Sequence, residues 1–188
     1  MSPPRRYHHG ALREALLEAA VAEIATGGPA GVNLRELARS IGVSHAAPRH
    51  HFGDKRGLLT AVAAEGFELL GAALGQSWQA TRSFREVGVA YVQFAIEHPA
   101  HFAVMFRPEL LDPDDPALTK AQEQTRRLLY EPVTTEPTAA DAGTSRIPAI
   151  AAWSLVHGLA TLLLAGNLPD DMGDDPEGLA RAVTGHLF

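Results

Sequence analysis

Apolar positions recur along this chain at three- and four-residue intervals, and no useful length alternates apolar with polar, so the pattern predicts helices and no sheet. Between about His8 and Ala25, the residues Leu12, Ala15, Leu16, Ala19, Ala20 and Ile24 form one stripe, the inner face of a first helix. Thr26-Gly27-Gly28-Pro29 should stop it, because glycine accepts a left-handed cap and proline cannot extend a helix. Asn33 and Glu36 have the spacing of a capping box around a short second helix with Leu34, Leu37, Ala38 and Ile41, closed by Gly42. Ser44 is placed to cap a third, ending near Phe52-Gly53. Asp54 is placed to cap a long fourth that carries Leu58, Leu59, Val62, Phe67, Leu70 and Leu74.

Farther on, Ser83 and Glu86 repeat the capping-box spacing ahead of Val87, Tyr91, Phe94 and Ala95. His98-Pro99 breaks the chain, Pro99 to Arg107 reads as a short helix, and Pro108 to Pro116 as an acidic turn. Ala117 to Tyr130 is amphipathic and is expected to fray at Pro132, and Thr134 to Arg146 reads as a polar loop. Pro148 should stand at a first helical position of an apolar helix through Ala165, and Asp175-Pro176 should open a last short one. The fold class is therefore all-α: an N-terminal three-helix unit and a C-terminal helical bundle. Ala149 to Gly166 approaches the ~20 apolar residues of a membrane span. Ser154, His157, Gly158 and Thr161 interrupt it, so the expectation is a buried helix and no membrane partner.

Charge changes this picture. The whole chain of 188 residues has a formal net charge of −6, which argues against a polyanionic partner. Residues 1–57, however, hold eight Lys or Arg against five acids, a net +3 that leaves −9 for the remainder, and five of the nine histidines also lie there. A basic head on an acidic body suits a protein of which only the head meets nucleic acid. The absence of cysteine excludes disulfides, thiolate metal sites and a cysteine nucleophile. No apolar run of signal-peptide length follows Arg5-Arg6, and the expected location is the cytoplasm.

The informative stretch is Leu34 to Phe52, LRELARSIGVSHAAPRHHF. Two short helices joined by a four-residue turn must cross steeply. Ala38 is small where the backbones approach, Gly42 supplies the turn, and Leu37, Ile41, Val43 and Pro48 fill the wedge. This is the pattern of a helix-turn-helix, whose second helix enters the DNA major groove. That helix presents His45, Arg49 and His50, with Ala46 and Ala47 small enough for close approach to bases. Pro48, expected at the fourth helical position, would remove only the first internal hydrogen bond. Asn33, Ser44 and Lys55 lie at or beside helix N-termini, where phosphates bind well. The competing reading of the same spacing is a helical hairpin within an ordinary bundle, with a solvated basic face.

Beyond the spacing, Tyr7 to Phe67 resembles the DNA-binding domain of TetR-family (tetracycline-repressor-like) regulators. The resemblance rests on the helix before the motif, the L-R-E-L-A-R-x-I-G-V-S core, the ending His50-His51-Phe52, and Asp54-Lys55 opening a long helix. The family usually has tyrosine where Arg49 stands and often lysine where His45 stands, so base preference is expected to differ. Trp153, His157 and Gly158 resemble the W-x-x-x-H-G element of one C-terminal subclass. The resemblance implies a homodimer on a near-palindromic double-stranded operator, with recognition helices ~34–36 Å apart. It also implies a small-molecule effector that releases a repressor, and no cofactor. Division into residues 1–53 (DNA-binding), 54–80 (connecting helix) and 81–188 (effector binding and dimerisation) follows from it.

Other residues invite separate readings. Arg5 and Arg6 suit a flexible arm onto the DNA backbone, and equally a solvated tail. Tyr91, Phe94, Phe102, Met105, Phe106, Trp153 and His157 could line an effector cavity, and equally form bundle core. His98 and His101, with His157, suggest a metal site, but no acidic ligand at helical spacing accompanies them. A helix cap for His98 and core packing for His157 are preferred, and no metal is expected. No catalytic motif is present, so the reading is a regulator and not an enzyme. The alternative is a helical small-molecule-binding or sequestering protein without DNA binding.

Overall fold

A computed structural model describes residues 9–134, 146–169 and 172–186 of the chain. Among these residues the fold is all-α, with no strand. The helices are α1 (His9–Gly31), α2 (Leu34–Ser40), α3 (Ala47–Phe52), α4 (Lys55–Thr81), α5 (Phe84–Glu97), α6 (Pro99–Met105), α7 (Pro116–Thr134), α8 (Arg146–Leu164) and α9 (Pro176–Thr184), with a 3-10 turn at Pro108–Leu110. They sort into two compact units, Met1–Gly66 with Ala100–Thr119, and Phe67–Pro99 with Lys120–Phe188. Arg5, Arg6 and most of the expected 134–146 loop lie outside the described residues.

In the first unit α1, α2 and α3 pack on one another. Leu16, Leu17, Ala20 and Ile24 of the α1 stripe are buried, together with Leu37 and Ala38 of α2 and Leu58, Leu59 and Val62 of α4. The expected stop after Ala25 takes a different form. Gly28 breaks α1 at φ 67° and ψ 174°, yet the chain makes one more turn to Gly31. Pro29 accounts for this, since a ring that fixes φ near −65° suits a first helical turn.

The start of α4 is fastened to the segment after α6. Arg56 Nε donates to the Leu111 carbonyl at 2.8 Å, and the Thr60 hydroxyl accepts from the Asp112 amide at 2.9 Å. The buried His101 Nε2 donates to Glu65 Oε2 at 3.0 Å. Gly66 permits the approach of α6, because a Cβ there would stand 2.6 Å from Met105 Sδ and 3.0 Å from His101 Cβ.

In the second unit α5 packs against α8 and α9, and α8 against α9. Ser83 caps α5 through the Glu86 amide, but the other half of the expected box is absent: the Glu86 carboxylate instead takes Arg181 of α9 at 3.0 Å. Asp175 caps α9 through the Gly178 amide at 2.9 Å. Helix α7 continues through Pro132 rather than fraying there. Its buried Thr125 hydroxyl reaches the Phe67 carbonyl at 2.8 Å.

Helix α8 departs most from expectation. It opens at Arg146, which puts Pro148 third rather than first, still within the turn that has no amide partner to lose. Ala149, Ala152, Val156, Leu159 and Ala160 are buried. Only 28% of the span Ile147–Leu164 is buried, however, and Ile147 (62%), Ile150 (48%), Leu162 and Leu164 are exposed. The expectation of a buried helix is therefore not met within one chain, because among the described residues only one of its apolar faces is covered. By length and composition this stretch and α4 are both sufficient to cross a membrane.

Candidate nucleic-acid interface

The α2–α3 corner is built by backbone bonds that its sequence permits. The Val43 amide donates to Ala38 O at 2.9 Å, and Gly42 reaches Arg39 O at 3.2 Å with φ 71°, a left-handed conformation that glycine adopts without strain. Leu37 and Ala38 are fully buried and Pro48 is buried, whereas Ile41 and Val43, expected in the same wedge, are half-buried. Asn33 caps α2, although it accepts from the Arg35 amide at 2.9 Å rather than from that of Glu36. Glu36 pairs with Arg39 at 3.6 Å in solvent and does not close a capping box.

Ser44 does not cap α3 with its side chain. The cap position is Ala46, and the Ser44 carbonyl, not its hydroxyl, accepts from Ala47 at 3.0 Å. Pro48 accordingly sits second in the helix rather than fourth, where its missing amide costs no intrahelical bond. The shift leaves a six-residue helix on which Arg49 and His50 are exposed; His45, expected on the helix, instead stands exposed in the turn before it, with Ser44 and Ala46. Ala47, His51 and Phe52 are half-buried. Gly53, at φ 74°, turns the chain toward α4, whose first turn is capped by Asp54 through the Gly57 amide at 2.9 Å.

Lys55 is half-buried, and its Nζ donates to Ala30 O at 2.7 Å, tying the end of α1 to the start of α4. One residue escaped sequence reasoning: Arg13 of α1 holds its guanidinium 5.4 Å from the centre of the Phe52 ring. Arg35 and Arg39 of α2, His45 of the turn and Arg49 and His50 of α3 are all exposed in this corner.

The aromatic residues proposed for an effector cavity divide between the units. Phe102, Met105 and Phe106 belong to the first, and Tyr91, Phe94, Trp153 and His157 to the second. Within the second unit the fully buried Tyr91 hydroxyl lies 2.9 Å from His157 Nδ1 and accepts from Trp153 Nε1 at 3.3 Å. Burial pushes the Tyr91 phenol above its ordinary range, with the Trp153 bond partly opposing, and burial lowers the pKa of the His157 imidazole. Both shifts favour the neutral forms of the pair.

Tyr91 and Trp153 border a cavity of about 20 Å³, room for about one water. Phe94 instead faces a groove of about 310 Å³ whose walls include Leu69, Gln76, Gln93, His98 and Arg181. The volume of that groove reaches the lower end of small-molecule sites, roughly 300–1,000 Å³. His98 ends α5, its amide donating to Phe94 O at 2.9 Å, while His101 pairs with Glu65 in the other unit. Among the described residues no three His, Asp or Glu converge to hold a metal ion.

Two family models match the chain. Residues 16–62 fit bacterial regulatory proteins of the tetR family, and residues 84–187 fit the tetracyclin repressor-like C-terminal domain. No curated protein matches it. Among solved structures, a protein with unknown function from Rhodococcus sp. RHA1 is 34% identical, with a TM-score of 0.80 over 97% of this chain and 96% of that one. A bacterial regulatory protein of the tetR family from Rhodococcus RHA1 is 20% identical, with a TM-score of 0.71 over 94% of each chain. The tetR-family regulator PfmR from Thermus thermophilus is 19% identical, with a TM-score of 0.67 over 92% of this chain and 96% of that one. The last two likenesses are of fold alone.

Proposed function

Because the chain belongs to the tetR family and is a DNA-binding transcriptional regulator, we propose that it is a repressor, working as a cytoplasmic homodimer and released from a near-palindromic operator by a small molecule. The observation that carries the reading is the exposure of Arg49 and His50 on α3 and of His45 and small Ala46 in the turn that leads into it. Arg49 would read a base edge or hold a phosphate, Lys55 and Asn33 would contact the backbone, and Ser44 and His51 would flank them. In this scheme residues 1–53 form the DNA-binding head, 54–80 the connecting helix and 81–188 the effector and dimer domain. Arg5 and Arg6 would supply an arm, and Trp153, His157 and Gly158 would assign the C-terminal half to the W-x-x-x-H-G subclass.

Dimerisation would cover the exposed apolar face of α8, together with α9, in a twofold interface. The effector would bind in the second unit near Tyr91, Phe94, Trp153 and His157. Release would reach α3 through the residues 100–112 that grip the start of α4, since Arg56, Thr60 and Glu65 are all bonded to that segment. A gel shift with DNA upstream of the protein's own gene, at two salt concentrations, tests the core of this reading. Retarded, salt-sensitive, sequence-preferring binding is expected. Absence of any DNA binding at low salt would leave the sequestering-protein alternative.

A further inference from the structure

The turn into α3 and α3 itself are rich in imidazole. From His45 to His51 the chain carries three histidines and a single permanent cation, Arg49. His45 and His50 are exposed, His51 is half-buried, and the His50 and His51 rings lie 5.5 Å apart. The charged groups on the elements packed against α3 leave the exposed pair unmatched. From α1, Arg13 stands over Phe52 and Glu23 accepts from the Asn33 amide, while Glu14 and Glu18 pair with neither histidine. From α2, Glu36 faces Arg39, and Arg35 is exposed. Beyond α3, Asp54 holds the Gly57 amide and Lys55 the Ala30 carbonyl. Among the described residues, no carboxylate forms an ion pair with His45 or His50.

We propose that His45 and His50 meet DNA as imidazolium cations, so that operator binding takes up protons and tightens as pH falls from about 8 to about 6. The inference rests on the DNA-binding reading above and adds a regulatory input to it. Imidazole is the side chain whose charge changes between about pH 5 and 8. A phosphate beside it favours the protonated form, so the complex would hold more protons than the free protein at the same pH. The sign follows: the extra affinity is present at the acidic end of that range and disappears as pH rises through it. Each imidazolium also adds one cation to a head whose formal charge is only +3. The slope of log K against log salt should therefore steepen by about 0.9 for every proton taken up.

The test uses the full chain and a duplex that the chain itself enriches from a random-sequence library at about pH 7. Affinity is read by fluorescence anisotropy at about pH 6 and pH 8 at constant ionic strength, with circular dichroism confirming the fold at both. Wild type should bind roughly tenfold more tightly at the lower pH, the effect of about one pKa unit shared between the two groups, with the steeper salt slope. His45→Gln/His50→Gln should bring the ratio of the two affinities to within about twofold, and each single variant should remove part of it. A wild-type ratio near one, or the full ratio surviving in the folded double variant, overturns proton uptake while the DNA reading stands. Failure to enrich any duplex overturns both.

Discussion

Two glycines in the second unit make opposite forecasts for the same substitution. A Cβ on Gly88 of α5 would lie 2.9 Å from Thr184 Cγ2 and 3.2 Å from Val156 Cγ1. Both neighbours are buried and β-branched, hence stiff at χ1. Thr184 is further pinned by its hydroxyl bond to Ala180 O at 2.7 Å. Overpacking of this kind costs about 1–3 kcal/mol, against a helix-propensity gain of about 1 kcal/mol for alanine over glycine. Gly88→Ala should therefore destabilise by about 1 kcal/mol. A Cβ on Gly75 of α4 meets only Leu128 Cδ1, at an ordinary 3.8 Å, so Gly75→Ala should gain most of its 1 kcal/mol. The gap of about 2 kcal/mol corresponds to roughly 4–8 °C in melting temperature for a chain of this length. Thermal unfolding of both variants at matched protein concentration checks it. Equal shifts in the same direction would refute the packing argument, because propensity alone would then decide both sites.

Three further outcomes are expected. Lys55→Ala should weaken binding to all DNA sequences and lower the salt slope by about one charge, whereas Arg49→Ala should also change base preference; filter binding on two duplexes at two salt concentrations separates them. Melting temperatures must accompany the first, because Lys55 also holds Ala30 O. Ile150→Asp with Leu162→Asp should convert a dimer into a monomer in sedimentation without loss of helicity, since both side chains are exposed within one chain. Burial disfavours the His157 cation in the folded state. Its contribution to stability is present above the ordinary imidazole value of about pH 6.5 and is lost as pH falls through the depressed folded value. Melting temperature should decline on acidification below that point, and His157→Gln should flatten part of the decline.

Sequence carried the fold class and the helix-turn-helix because their signals are local. Gly42, Asn33, Asp54, Ser83 and Asp175 each act on backbone groups within a few residues, and each sits at a turn or helix start. Ser44 was misleading for a local reason too. Pro48 favours a first helical turn, so α3 begins at Ala47, beyond the reach of the Ser44 hydroxyl as a cap. Both capping boxes were only half correct, because Glu36 and Glu86 found arginines instead of their cap amides. Composition marks α8 as an apolar stretch near the length of a membrane span, but not which of its faces α5 and α9 cover. The Arg13–Phe52, Arg56–Leu111 and Glu65–His101 contacts join residues far apart in sequence, and no periodicity announces them.

Those non-local contacts also decide which part of the molecule positions the recognition helix. Helix α4 follows α3 after only Gly53 and Asp54, so whatever fixes the first turns of α4 also fixes the end of α3. Lys55 ties it to the end of α1, while Arg56, Thr60 and Glu65 tie it to Leu111, Asp112 and His101. Arg13 adds a contact from α1 onto Phe52, the last residue of α3. Three of these four α4 contacts go to residues that the sequence placed in the effector half, yet residues 100–119 fall in the same compact unit as α1, α2 and α3. An effector signal acting on α6 or the turn after it would need no long relay to reach α3, because that segment already belongs to the unit that holds α3.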